Sequence, residues 1–201
     1  MTKTGVRRGP YAKTHLQRDK ILRSALEYFG QYGYWGSTMR DIARHVGLSQ
    51  AGLLHHFGTK TELLTAVLEE RDLDTSEHTR ASEFHGASQL DGIAGIVATN
   101  VTQPNIVRLF ATLSAEATSE VHPSHVYFRD RYVRVTKTIA DRLREAARTK
   151  EIAPLTDYES AARITLAVMY GLQVQWLLDP TLDMLALFTE HLRIEIGRAH
   201  V

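Results

Sequence analysis

The sequence predicts an all-α protein of about nine helices, with a short three-helix N-terminal unit and a longer helical C-terminal part. Three observations carry this. Apolar residues recur at helical spacing along most of the 201 residues. No stretch sustains the period-two alternation of a half-buried strand. Glycines, prolines and Ser/Thr residues fall between the periodic segments, where helices start and stop.

Residues 1–13 form a basic tail containing Gly9 and Pro10, which reads as flexible. From about Leu16 the positions Ile21, Leu22, Ala25, Leu26 and Phe29 recur at helical spacing, and Gly30 and Gly33 mark the expected end. Thr38 opens a short helix, because its hydroxyl can accept from free backbone N–H groups and Asp41 completes a capping-box-like pair. Ile42, Ala43 and Val46 give that helix an apolar side, and Gly47 stops it. Ser49 caps a second short helix running to about Phe57. Thr59 and Glu62 make a T-x-x-E box before Leu63, Leu64, Val67 and Leu68, a helix expected to pass Leu73 and approach residue 80. Later helices are expected at roughly 88–101, 104–121, 124–150, 156–178 and 181–197, with Pro104, Pro123, Pro154 and Pro180 near their starts. The tail thus spans 1–13, the three-helix unit 14–60 and the remainder 61–201. The boundary falls at the start of a helix, so it marks a change of role and not a flexible linker.

Charge supports two roles. Residues 1–60 hold ten Lys or Arg against three Asp or Glu, a net +7, while the remainder holds fourteen against twenty, a net −6. A basic first third suits a phosphate backbone. Hydrophobic residues make up 43% and charged residues 23%, as in ordinary globular chains. No apolar run approaches the roughly 20 residues that span a bilayer, and residues 2–20 lack the apolar segment of a secretory signal. The cytoplasm is therefore the expected compartment. With no cysteine, disulfides and thiolate metal sites are excluded. His55-His56 and His122-Pro123-Ser124-His125 offer no complete ligand set, so no metal or other cofactor is expected. The Asn100-Val101-Thr102 sequon has no export signal to give it meaning. P-loop, G-x-G-x-x-G and G-x-S-x-G patterns are missing, and an enzyme is not expected.

Residues 38–57 read TMRDIARHVGLSQAGLLHHF. Two short helices flank a tight corner at Val46, Gly47 and Leu48, where Gly47 can take positive φ at little cost. Ile42, Ala43, Val46, Leu48 and Leu53 can pack on the preceding helix. The second short helix, opened by Ser49, then presents Gln50, Ala51, Leu54 and His55. In such a helix-turn-helix the start of the second helix meets base edges in the major groove. Gln50 suits adenine, and Ala51 suits a thymine methyl. Thr38, Arg40, Arg44 and Lys60 are placed for phosphates, which position the protein without reading sequence, and the helix N-termini add backbone donors. A double-stranded DNA operator is the expected partner.

The segment from about Arg18 to Leu68 resembles the tetracycline-repressor (TetR) family of regulators. The resemblance rests on EYFGQYGYWGST, MRDIARHVGLS and HHFGTKTELL at fixed spacing. It implies a three-helix DNA-binding domain and a helical C-terminal domain that dimerises and binds a small effector. Many members carry a DNA-contacting tyrosine where this chain has Leu54, and His55 or His56 is left to take that contact. Lys60 matches the family lysine whose usual partner is a phosphate. The tail residues Arg7, Arg8 and Lys13 either reach along the DNA or stay solvated.

A dimer is expected through residues 156–197, where Ile164, Leu166, Val168, Met169, Leu172, Trp176 and Leu177 are followed by Leu182, Leu185, Leu187, Phe188, Leu192 and Ile196. These residues can fill a subunit's own core, a four-helix dimer interface, or both. A twofold dimer places two reading helices about 34 Å apart and predicts a palindromic operator. Effector candidates are Phe110, Leu113, Glu116, Tyr127, Phe128, Tyr170, Gln173 and Trp176, aromatic and polar residues of the later helices, each of which can equally be ordinary core. The expected function is a repressor released by a small molecule. The competing readings are a DNA-binding or architectural protein without an effector and a helical enzyme with an anionic substrate.

Overall fold

The computed structural model describes residues 10–81 and 88–196, with no strand among them. Nine α-helices run through these residues: α1 (Pro10–Tyr32), α2 (Met39–Val46), α3 (Gln50–His56), α4 (Lys60–Ala81), α5 (Gln89–Val101), α6 (Pro104–Glu116), α7 (His125–Arg148), α8 (Tyr158–Leu178) and α9 (Met184–His191). A π-helical turn, Leu192–Ile196, continues α9.

The helices follow the predicted order, with informative shifts at their ends. Pro10 begins α1, so 10–13 join a helix instead of a loose tail. A first-turn proline loses no intrahelical bond, and its fixed φ suits the helix. Residues 1–9, with Arg7 and Arg8, lie outside the described residues. Gly30 lies within α1, and the helix ends only at Tyr32, before left-handed Gly33 at φ +69°. The sixth helix stops at Glu116, well short of residue 121, because tight turns take over: Ser119 N–H donates to Glu116 O at 3.2 Å and His122 N–H to Ser119 O at 3.0 Å. The last helix bends into the π-turn rather than running straight to 197.

Two apolar cores organise these helices. In the first, Ile21, Leu22, Ala25 and Phe29 of α1 meet Ile42, Ala43 and Val46 of α2, Leu53 of α3, and Leu63, Leu64, Val67 and Leu68 of α4. That core continues into Leu109, Phe110 and Leu113 of α6 and Phe128 of α7. Each fully buried Leu or Phe contributes about 1.5–3 kcal/mol, so the N-terminal unit draws stability from well beyond residue 60. Gly30 lets α6 approach closely: a Cβ there would lie 3.2 Å from Leu109 N and 3.3 Å from its Cα. Thr112 Oγ1 donates to Gly30 O at 3.1 Å across the same seam.

The second core joins Ile93 and Val97 of α5, Ile139, Ala140 and Leu143 of α7, Leu166 and Met169 of α8, and Met184 and Phe188 of α9. The start of α5 is held from a distance. Glu151 accepts the Ser88 hydroxyl and the N–H groups of Gln89 and Leu90, the latter two at 2.8 and 3.0 Å. A carboxylate thus neutralises free donors at a helix N-terminus.

Candidate nucleic-acid interface

The interface is built by two capped helices around one glycine. Thr38 is extended at φ −122°, accepts Asp41 N–H at 3.1 Å, and donates its hydroxyl to Asp41 Oδ2 at 2.6 Å. Ser49 accepts Gly52 N–H at 3.0 Å. Between them Gly47 is left-handed at φ +82°, and Leu48 N–H reaches back to Ala43 O at 2.8 Å. That long backward bond is the Schellman closure, and it requires a residue tolerant of positive φ at Gly47.

The corner is held by burial. Ile42, Ala43, Val46, Leu53 and Phe57 are all buried against α1 and α4. Since α3 makes under two turns, fixing Leu53 and Phe57 fixes which side faces outward. Thr38, Arg40, Arg44, Ser49, Gln50, Ala51, Leu54 and His55 are all exposed. The two short helices therefore present one continuous polar surface with Leu54, 39% exposed, in its middle. Arg44 leans towards Asp41 Oδ1 at 3.4 Å but stays solvated, so that pair is weak and easily traded. His55 and His56 meet edge to face at 5.8 Å, and His56 is half-buried.

Lys60 is differently placed from the other cations. Its ammonium donates to Tyr34 O and Ser37 O, both at 2.8 Å, and lies 4.0 Å from the centre of the Tyr34 ring. Burial lowers its pKa, with the negative charge of Glu116 opposing. Two of its three hydrogens tie the loop before α2 to the start of α4, and one is left for a phosphate. The loop is also self-bonded: buried Ser37 donates to Gly33 O at 2.5 Å, and Tyr34 shares a 2.9 Å hydroxyl contact with Thr61. Arg18, not singled out from sequence, sets its guanidinium 4.6 Å from the Phe57 ring centre at the end of α3. The basic first third was the available signal for it.

The effector candidates divide between two neighbourhoods. Leu113 and Glu116 face α1. Leu113 is fully buried in the first core, and Glu116 accepts Tyr34 N–H at 2.6 Å. Buried Phe110 and half-buried Tyr127 both meet Phe128 edge to face, at 5.8 and 5.2 Å. Arg131 links this group to α8: its guanidinium lies 4.4 Å from the Phe110 ring centre and donates to Tyr170 OH at 2.8 Å. Tyr170 also packs edge to face with Tyr132 at 5.3 Å. Gln173 is buried on α8, and half-buried Trp176 packs on the second core. Arg131 was missed because one arginine in the charged run FRDRYVR carries no local sign of a role.

A capped, glycine-cornered helix pair with a polar outer face on an all-helical scaffold defines a helix-turn-helix DNA-binding regulator. Residues 21–67 match the family model described as bacterial regulatory proteins, tetR family. The chain is 24% identical over 157 residues to the HTH-type transcriptional regulator UidR of Escherichia coli, covering 77% of this chain and 78% of that one. It is 38% identical over 53 residues to the HTH-type transcriptional repressor AcnR of Corynebacterium efficiens, covering 26% and 28% of the two chains. The fold is also that of a transcriptional regulator from Saccharomonospora viridis solved in complex with choline: TM-score 0.77, 20% identity, 90% of this chain and 98% of that one. Residues 21–67 thus carry the helix-turn-helix of the bacterial tetR-family regulatory proteins, on a scaffold with the fold of such regulators.

Proposed function

We propose that the protein is a repressor that binds a palindromic operator as a homodimer and releases it when a small molecule occupies the C-terminal part. The observation that carries this is the exposed row on α3, held outward by buried Leu53 and Phe57. Gln50 and Ala51 read base edges, with Leu54 giving apolar contact in place of the family tyrosine and His55 beside it. Thr38, Arg40, Arg44 and Ser49 take phosphates with the helix N-termini, and Lys60 adds its remaining donor. The reading is tested by gel shift and footprinting on DNA upstream of the protein's own gene. A protected palindrome is expected, and uniform low affinity for all DNA would refute it.

The dimer reading is supported by a stripe on α8. Ile164, Ala167, Gly171, Val174 and Leu178 are all exposed and recur at spacings of three and four. A Cβ on Gly171 would meet nothing within 4 Å, so a second helix can approach there. Leu166 and Met169 fill the subunit's own core instead. For the effector, Phe110, Tyr127, Tyr170, Gln173 and Trp176 offer aromatic walls and Arg131 a polar edge. The S. viridis regulator, which shares this fold, was solved in complex with choline, and this supports a small-molecule ligand here. Leu113 and Glu116 face the reading head and would transmit occupancy rather than touch the ligand. The site of action is the cytoplasm, where the operator lies. Among the described residues no helix is long and apolar enough to cross a membrane.

A further inference from the structure

We propose that His122 is a proton-operated latch on the junction between α6 and the reading head, and that its protonation loosens the head and weakens operator binding. The operator half of this rests on the function proposed above; the latch itself does not.

The junction is a short series of bonds. Glu116, the last residue of α6, accepts Tyr34 N–H, and Tyr34 O and Ser37 O both accept from Lys60. The next residue, Thr38, is the N-cap of α2. The Glu116 carboxylate therefore fixes the backbone from which the helix-turn-helix starts. His122 closes over this point. Its side chain is fully buried, and its Nε2 lies 3.5 Å from Glu116 Oε2 without a hydrogen-bond partner. The rings of Tyr34 and Trp35 meet it edge to face at 5.2 and 5.7 Å.

The tautomer is set by the backbone. His122 Nδ1 accepts Ser124 N–H at 3.1 Å, so the proton of the neutral ring sits on Nε2, facing Glu116. A second proton must enter at Nδ1, where the lone pair is already engaged. It would set N–H against N–H and break the bond that shapes the turn between α6 and α7. The titratable groups around it come from each packed element, Glu116 on α6, Lys60 on α4 and His125 at the start of α7, with the Tyr34 ring against it from the loop before α2. His125 cannot relieve the site easily, since its own Nδ1 pairs with Ala117 O at 2.8 Å. Only Glu116 attracts the new cation, and the oxygen that Nε2 faces, Oε2, is the one that accepts Tyr34 N–H, so a charged ring competes with Tyr34 for it. Either the turn opens or the Glu116–Tyr34 bond is lost, and in both cases α2 loses its fixed start.

Burial lowers the pKa of His122, with His125 and Lys60 adding to this and Glu116 opposing. The folded protein therefore resists the proton that the unfolded chain accepts. The latch is closed above the ordinary histidine value of about 6.5 and opens as pH falls through a lower one.

The test uses the full chain carrying Trp176→Phe, which leaves Trp35 as the sole tryptophan. Its emission is followed from pH 8 to 5 while far-UV circular dichroism tracks the helices. A transition with its midpoint below about 6.5, present in His125→Asn and lost in His122→Asn, is expected. Glu116→Gln, which removes the opposing charge, should move the midpoint further down. It decides the matter alone if His122→Asn does not fold. A transition unchanged in His122→Asn or Glu116→Gln, or a flat trace with helices intact, overturns the latch. On operator DNA, between pH 7.5 and 5.5, the unsubstituted protein should lose affinity that His122→Asn retains. Parallel losses in the two proteins overturn the coupling to the head. If neither binds DNA at any pH, the proposed function fails, and the Trp35 trace still decides the latch.

Discussion

Gly33 and Gly47 provide a matched pair of substitutions. Both have positive φ, +69° and +82°, so alanine at either costs about 1–2 kcal/mol for left-handed backbone. Their surroundings then differ. A Cβ on Gly47 would meet nothing within 4 Å, whereas one on Gly33 would overlap the carboxylate of Glu116. Glu116 can swing aside, but it then gives up Tyr34 N–H. A hydrogen bond to a charged group is worth about 1.5–3 kcal/mol. Gly47→Ala should therefore cost about 1–2 kcal/mol and Gly33→Ala about 2.5–5 kcal/mol. With a urea slope of about 1–3 kcal/mol per molar, the midpoints should differ by roughly 1 M. The assay is urea unfolding followed by circular dichroism at one fixed protomer concentration, since association would shift both curves. A double variant, Gly33→Ala with Glu116→Ala, should be less destabilised than the two single changes added together. Equal midpoints for the two glycine variants, or strict additivity in the double, would refute the tie between α6 and the head.

Gln50→Ala should cost about 1–3 kcal/mol of operator affinity and leave the melting temperature unchanged, because the side chain is exposed; binding titration beside a thermal melt checks both. Ser49→Ala removes the cap on Gly52 N–H and should lower stability by about 1 kcal/mol, read in the same melt. Val174→Asp on the exposed stripe of α8 should give monomers in analytical ultracentrifugation, and an intact dimer would move the interface elsewhere. Burial opposes the charge of Glu151, but hydrogen bonds from Ser88, Leu90 and Gln89 outweigh it and hold its pKa below the ordinary 4.5. Its stabilising contribution is therefore present above that pH and is lost as pH falls through the lower folded value. Glu151→Gln should flatten the decline of the urea midpoint between pH 5 and 3, and an unchanged slope would reject this assignment.

What was legible in the sequence was local. The Thr38, Ser49 and Thr59 caps each act within three or four residues, and Gly47 announces its corner through its own missing side chain. The order of the nine helices follows from the same signals. The connections of Glu116, Lys60 and Gly30 were not legible, because their partners lie far along the chain. Glu116 reaches a backbone N–H 82 residues away, a group every residue type carries. Gly30 reads as a helix stop in sequence, yet it serves as a gap that admits Leu109. Lys60 reads as a phosphate ligand in sequence, and nothing local shows that the carbonyls of Tyr34 and Ser37 also accept from it. Arg131 likewise gains a role only when α8 brings Tyr170 beside it.

The apolar core shared by α1–α4 with Leu109, Phe110 and Leu113 governs how this regulator can be recombined with others. A reading head transplanted by cutting at residue 60 would carry Phe29 and Gly30 onto a foreign sixth helix shaped for other side chains. Such a chimera would bind its operator loosely, or respond to no ligand, whatever the quality of its helix-turn-helix. Grafts that move α1 to α4 together with the facing side of α6, including Gly30's neighbour Leu109 and the Glu116 carboxylate, would keep sensor and reader in register.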